Sequence, residues 1–230
     1  MTEKKASRWP KVLIFIIALL AIAAIAAYFI VPRYMSSNEP SSEYSAPSLS
    51  STAAADTDLD INGTWNINDA DSFAGYRVIN HMGQEDIEVV GRTSDITGTI
   101  EVSDSELTEA NLTIDLTTVD SGDDTRDEHM RKSYLHTDEH PNATFVATKP
   151  VNVASITEGN ITVEVPGELS IHGVTQDTVL TLEATVSGDE IVAVGTTNIT
   201  WADFDVEAPS TAMSTVAETG TLEYQLTLQK

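Results

Sequence analysis

The chain has 230 residues, and setting aside a leader and a linker leaves about 170, room for roughly one domain with one core. Cysteine is absent, which excludes disulfides, thiolate metal sites, a thiol nucleophile and a lipidated cysteine. After Pro32 there are eight basic residues against thirty-five acidic ones, a balance of −27. A surface of that sign repels nucleic acid and anionic headgroups, since both bind through neutralisation of phosphate by Lys and Arg.

Residues 1–11 carry Lys4, Lys5, Arg8 and Lys11. They precede "VLIFIIALLAIAAIAAYFIV", Val12 to Val31, twenty consecutive residues without a charge. At about 1.5 Å rise each these reach about 30 Å, the thickness of a bilayer's hydrocarbon core. With the basic cluster before the span and Arg33 alone close behind it, the positive-inside rule predicts a single-pass anchor. The N-terminus is then cytoplasmic and everything after the span extracytoplasmic. A cleaved signal peptide is the other open reading, because "AIAAIAA" offers small residues to a peptidase; the length of the span argues against it, as a signal's apolar region is about 7–15 residues.

Residues 32–60 are rich in Ser, Pro and Ala and poor in large apolar side chains, a composition that cannot bury enough surface to fold. A disordered tether is expected. It either holds the following domain away from the membrane or is a linker with no length requirement.

From residue 61 to 230 the dominant signal has period two. In "NLTIDLTT" Leu112, Ile114 and Leu116 alternate with Thr113, Asp115 and Thr117, and the same pattern recurs at Ile161–Val165, Leu180–Val186 and Leu222–Leu228. Shorter runs lie near 64–68, 74–80, 87–93, 96–102, 144–154 and 191–200, with "SGDE" at 187–190 as a tight connection. The count predicts eight to ten antiparallel strands, which either close into a barrel or pack as a sandwich. An eight-stranded barrel has an interior just wide enough to be filled by side chains or to hold one slim ligand.

Only the stretch from about 124 to 136 reads as helical. Thr125 and Glu128 fit an S/T-x-x-E capping box, and Asp127 and Arg131 stand i, i+4 on one face. Three of the five histidines fall at 129, 136 and 140. His129 and His136 sit seven residues apart, about 10.5 Å along a continuous helix, too far to share an ion without a break in it; His136 and His140 have the favourable i, i+4 spacing, but His140 precedes Pro141, which disfavours helical angles. His81 and His172 lie in separate strand-and-turn settings, so no metal or cofactor is expected. There is no G-x-S-x-G elbow and no carboxylate pair that stands out, so an enzyme is not indicated. Five N-x-S/T sequons, at Asn62, Asn111, Asn142, Asn160 and Asn198, are read as coincidence in a Thr-rich β domain.

"SF-x-GYRV", Gly91, "GTI" at 98–100, "TIDLTTVDS", "TRDEHMR", "HPNATF" at 140–145 and "GELSIHGVTQDTVLTL" stand in the order found in the YceI-like family of lipid-binding proteins. The resemblance covers about residues 61–230 and is greatest to membrane-anchored actinobacterial members. It implies an all-β fold, an extended eight-stranded antiparallel lipocalin-like barrel with one short helix, holding an isoprenoid or other long-chain lipid in an apolar channel. It also implies that Arg126, Asp127 and His129 border the channel, with Phe73, Tyr76, Leu135, Phe145 and His172 as further ligand contacts. Two roles stay open for Arg126 and Asp127: holding the ligand's polar end, or clipping the helix to the barrel. The sequence departs from the family at Tyr134–Leu135, where an aromatic pair is common, and at Trp201 and Asp205, where Arg and Gly are common. Seven acids between 120 and 140 surround Arg126, Arg131 and Lys132, a field that favours a neutral head such as a quinone over a diphosphate. The rival reading is a cell-envelope interaction module whose barrel is packed solid. No pattern in the chain speaks to oligomeric state.

Overall fold

The computed structural model describes residues 44–49 and 59–230, so the expected anchor at 12–31 lies outside the described residues. Among the described residues no helix is long and apolar enough to cross a membrane. Within the stretch expected to be a tether, the backbone at Tyr44 and Ser45 meets the barrel. The Tyr44 carbonyl accepts from Arg77 at 2.9 Å, and the Ser45 carbonyl accepts from Arg92 at 2.6 Å. Composition gave no sign of this, because the partners are backbone carbonyls.

Period-two alternation produces twelve strands: β1 (Gly63–Ile67), β2 (Phe73–Met82), β3 (Glu85–Thr93), β4 (Ile96–Ser103), β5 (Glu106–Asp115), β6 (Asn142–Ala147), β7 (Val151–Asn152), β8 (Ile161–Ile171), β9 (Val174–Ser187), β10 (Glu190–Thr200), β11 (Ser214–Val216) and β12 (Thr219–Gln229). This exceeds the eight to ten expected, in part because the run at 144–154 is divided by the Lys149–Pro150 step into β6 and β7.

Eight of the strands close on themselves in the order β1-β4-β5-β6-β8-β9-β10-β12 and back to β1. The closing register is Asn66↔Gln229 and Ile67↔Leu228. That decides for a barrel over a sandwich. Strand β12 can serve both ends because it is long: its last residues pair with β1, while Thr221–Gln225 pair with β2, which carries β3 and β11 outward from the ring.

Two-residue turns set the register of the hairpins. Ser187↔Glu190 flank Gly188–Asp189, as "SGDE" predicts, with Gly188 at φ 65°. Ile171↔Val174 flank His172–Gly173, both left-handed at φ 53° and 76°, the backbone of a type I′ turn. A bulge between Glu101 and Val102 resets β4 against β5, so that Leu107 and Ala110, three residues apart, are both buried.

One end of the ring is plugged. Trp65 is fully buried and its indole donates to the Ile61 carbonyl at 2.8 Å, packed in the same core as Leu107, Val153, Ile156 and Leu228. The other end carries helix α1 (Asp124–His129), continued by a π-helical turn at Met130–Tyr134. Its cap differs from the expected box. Asp123 accepts from the N–H groups of Thr125 and Arg126 at 3.0 and 3.1 Å, while Glu128 pairs with Lys132 at 2.5 Å. The helix therefore starts two residues earlier than the box requires, and the Asp127 N–H already donates to the Asp123 carbonyl at 3.0 Å. The expected Asp127–Arg131 pair does not form, because Asp127 is turned inward.

Candidate functional site

Between the plug and the helix the ring encloses a cavity of about 150 Å³. Its walls start at Ile100, Leu107, Ala110 and Leu226 and end at Leu116, Val119, Met130, Leu135 and Trp201. Along β5 and the turn that follows it, Leu107 to Leu116 is nine residue steps, roughly 30 Å of chain at about 3.3 Å each. The cavity is therefore long and thin, with a free volume of the order that accepts a benzene-sized molecule without rearrangement.

Among the described residues no Lys, Arg or His lines it. Its lining residues bring four polar side chains: Tyr76, Trp201, Glu223 and Tyr224. Three are already engaged. The Trp201 indole donates to the Ala217 carbonyl at 3.1 Å; the Tyr224 hydroxyl lies 3.0 Å from Thr197 Oγ1 and donates to the Thr181 carbonyl at 3.2 Å. Glu223, 1% exposed, accepts from Arg77 and Arg92. Tyr76 stands edge-on to Trp201 at 6.5 Å between ring centroids. Burial pushes its phenol up to about 12, the Asp127 carboxylate adding to the shift and Arg126 and Ser121 opposing it.

The sequence-derived candidates divide in space. Tyr76, Leu135 and Phe145 line the cavity. Phe145 is buried and lies over Gly167, where an added Cβ would meet its ring at 2.3 Å. Phe73 is not among the lining residues; its ring carries the Arg92 guanidinium at 4.0 Å. Arg126 donates to Ser121 Oγ and to the Ser121 carbonyl, both at 2.8 Å, and buried Asp127 accepts from the Ser121 N–H at 2.9 Å and from its hydroxyl. Arg131 donates to the Val119 carbonyl at 3.2 Å. These groups join the helix to the loop before it and leave no free cation at the cavity. His129 is exposed, its ring tilted against Tyr134 at 5.6 Å. His172 sits in the β8–β9 turn, beside His136 and His140.

The family described as the YceI-like domain matches residues 65–228. This chain belongs to the YceI family. It is similar to a UPF0312 protein of Vibrio parahaemolyticus, 30% identical over 139 residues, 56% of this chain and 69% of that one. It is also similar to Protein YceI of Shigella flexneri, 30% identical over 142 residues, 61% of this chain and 66% of the relative. Among solved structures it resembles a polyisoprenoid binding domain from Saccharophagus degradans, with TM-score 0.58, 22% identity, and coverage of 72% of this chain and 97% of that one. BcnA of Burkholderia cenocepacia gives TM-score 0.56 at 20% identity, covering 70% of this chain and 98% of that one. At these identities the structures establish the shared YceI fold.

Two features of this YceI barrel escaped the sequence reading. Arg77, Arg92 and Glu223 form a buried ion network at the cavity wall. Its residues come from three strands that adjoin in the sheet but lie up to 146 positions apart in sequence. The second is the joining of His172 to His136 and His140; the i, i+4 spacing of His136 and His140 was visible in the chain, but nothing in it tied them to His172.

Proposed function

We propose that this chain is a membrane-anchored extracytoplasmic binding protein that holds an isoprenoid, or another long-chain lipid with a neutral head, inside the barrel and performs no catalysis. The observation that carries the reading is the long apolar cavity, which no cation lines among the described residues. An apolar tail gains roughly 0.8 kcal/mol per CH₂ buried, so a chain of about twenty carbons brings an upper bound above 10 kcal/mol, from which ordering and association subtract much. Micromolar binding then needs no strong headgroup contact. Every arginine near the cavity is committed to a carboxylate, a hydroxyl or a carbonyl of the protein itself, so a diphosphate would enter unpaired. That the related domain from Saccharophagus degradans binds a polyisoprenoid agrees with this reading. Anchoring rests on the uncharged span at 12–31 and on the basic cluster before it.

The free volume of about 150 Å³ supports a second reading, a packed barrel serving as an envelope interaction module. A long tail enters only if Met130, Leu135 and the side chains along the slot move apart. Native mass spectrometry of the full-length protein purified from a bacterial host, followed by solvent extraction, separates the two. A copurified isoprenoid or fatty-chain mass supports the lipid carrier, and a quinone or polyprenol should bind more tightly than the matching diphosphate at physiological salt. An apo mass that persists after incubation with quinones and polyprenols selects the packed barrel.

A further inference from the structure

Three of the protein's five histidines meet at the helix end of the barrel. His172 Nε2 stands 3.4 Å from His136 Nδ1, with ring centroids 5.3 Å apart, and the His140 ring stands 5.2 Å from that of His172, edge-on. Two unrelated pieces of chain supply them, the β8–β9 turn and the loop after the π-helical turn.

The backbone fixes their directions. His136 and His172 both lie in the left-handed region, at φ 43° and 53°, which few non-glycine residues adopt, His with Asn and Asp being the ones that do so most often. His136 and His140 are fixed relative to each other, since the His140 N–H donates to the His136 carbonyl at 2.9 Å. Gly173 clears the space: a Cβ there would come within 2.7 Å of His140 Cε1.

Protonation in the cluster is ordered as well. His172 Nδ1 lies 3.3 Å from the Phe204 carbonyl, which can only accept, so Nδ1 carries the proton in the neutral ring and Nε2 presents its lone pair toward His136. A backbone carbonyl behind one ring nitrogen is the support that fixes and orients a metal-ligating imidazole.

We propose that His136, His140 and His172 form a binding site for a divalent transition-metal ion of the zinc, nickel and copper class. Imidazole nitrogens select ions of this kind over magnesium or calcium. Two nitrogens bound at about 2.0–2.1 Å on adjacent tetrahedral corners are about 3.3–3.4 Å apart, the separation found between His136 Nδ1 and His172 Nε2. Among the described residues no three His, Cys, Asp or Glu side chains are already gathered as ligands around one point. The resting arrangement thus supplies a preset pair, and His140 completes the site by turning its ring toward the ion. Without metal, His136 Nδ1 donates its proton to His172 Nε2; with metal bound both nitrogens are bare, so His136 carries its proton on Nε2 or loses one to solvent if it was charged. The site is independent of whether the barrel holds lipid.

The test is titration of metal-stripped full-length protein with Zn²⁺ by calorimetry and with Cu²⁺ by electron paramagnetic resonance. One ion per chain is expected, with coupling to at least two imidazole nitrogens in the unsubstituted protein. His136→Asn and His172→Asn keep a residue that tolerates the left-handed backbone, and each should weaken binding at least tenfold, as should His140→Ala. His81→Ala, which removes the separate His81–Asp86 contact, and His129→Ala should leave it unchanged. Absence of saturable binding, coupling to fewer than two nitrogens, or binding that survives the His136→Asn/His172→Asn double substitution would overturn the proposal.

Discussion

Arg92 reaches Glu223 by passing over Gly75. In the sheet register Gly75 lies between them, paired with Arg92 on one side and Glu223 on the other, and the Arg92 Nε donates to Glu223 Oε1 at 2.6 Å. Arg77 donates to the other carboxylate oxygen, and both guanidinium groups also hold the 44–45 backbone, so one carboxylate joins β12, β2, β3 and that segment. Glu223→Ala leaves Arg92 without a carboxylate and Arg77 with Glu88 alone, 2.6 Å away, so it should cost about 3 kcal/mol of unfolding free energy, the low end for breaking a buried pair, read as a lower urea midpoint. Gly75→Ala should be as damaging by a different route, since its Cβ would sit 2.1 Å from the Gly91 carbonyl, which is backbone and cannot give way.

The barrel was legible because alternation is local: each of Leu112, Ile114, Leu180 and Leu226 announces a face without reference to any other strand. The tight turns were legible for the same reason. What the chain did not announce are relationships across strands. Glu223 reads as one acid among thirty-six until the register sets it beside Arg77 and Arg92. His136 and His172, thirty-six positions apart, read as unrelated until the β8–β9 turn brings them together. The helix cap lies at Asp123 rather than Thr125 because an aspartate two residues upstream fits the N-cap as well, and the helix begins there, with Thr125 already inside its first turn.

Channel occupancy can be varied without disturbing the shell. Ala110 faces the cavity from β5 and is buried. Ala110→Leu adds three carbons where there is free space, so the change in stability should stay within about 1.5 kcal/mol. The same carbons close the slot to a tail. Lipid affinity should fall at least tenfold, measured by displacement of a fluorescent fatty chain, and unchanged affinity would mean that the tail does not pass Ala110.

The Arg126–Ser121–Asp127 contacts predict which changes affect lipid and which affect the fold. Asp127→Asn exchanges a buried charge-assisted acceptor for a weaker one and should lower stability by about 1.5–3 kcal/mol. His129 is exposed and its ring meets Tyr134 rather than the cavity, so His129→Ala should leave lipid affinity unchanged. A tenfold loss of affinity in His129→Ala with normal melting would assign it to the ligand's head.

Thr185 offers a stabilising substitution. Its Oγ1 is buried without a hydrogen-bond partner among the described residues, on a strand whose neighbours Ala184 and Val186 are buried too. Thr185→Val replaces the hydroxyl by a methyl of similar volume and removes the cost of burying an unpaired donor. A gain of about 1 kcal/mol is expected from denaturant unfolding.

Tyr76 gives the protein a specific weakness at high pH. Its phenol is pushed up to about 12 from the usual 10, chiefly by burial. Below pH 10 the group is neutral in folded and unfolded chains alike, and the folded state keeps the full advantage. Between 10 and 12 the unfolded chain ionises while the folded one holds its proton, so stability falls with rising pH, by at most about 2–3 kcal/mol from this group. Tyr224, raised in the same direction by burial, adds to the slope. Tyr76→Phe removes the titrating group, so the loss of stability between pH 9 and pH 11.5, followed by denaturant midpoints, should be shallower than in the unsubstituted protein. Equal slopes in the two proteins would place the phenol in contact with water, and the helix end of the cavity would then be open at Tyr76.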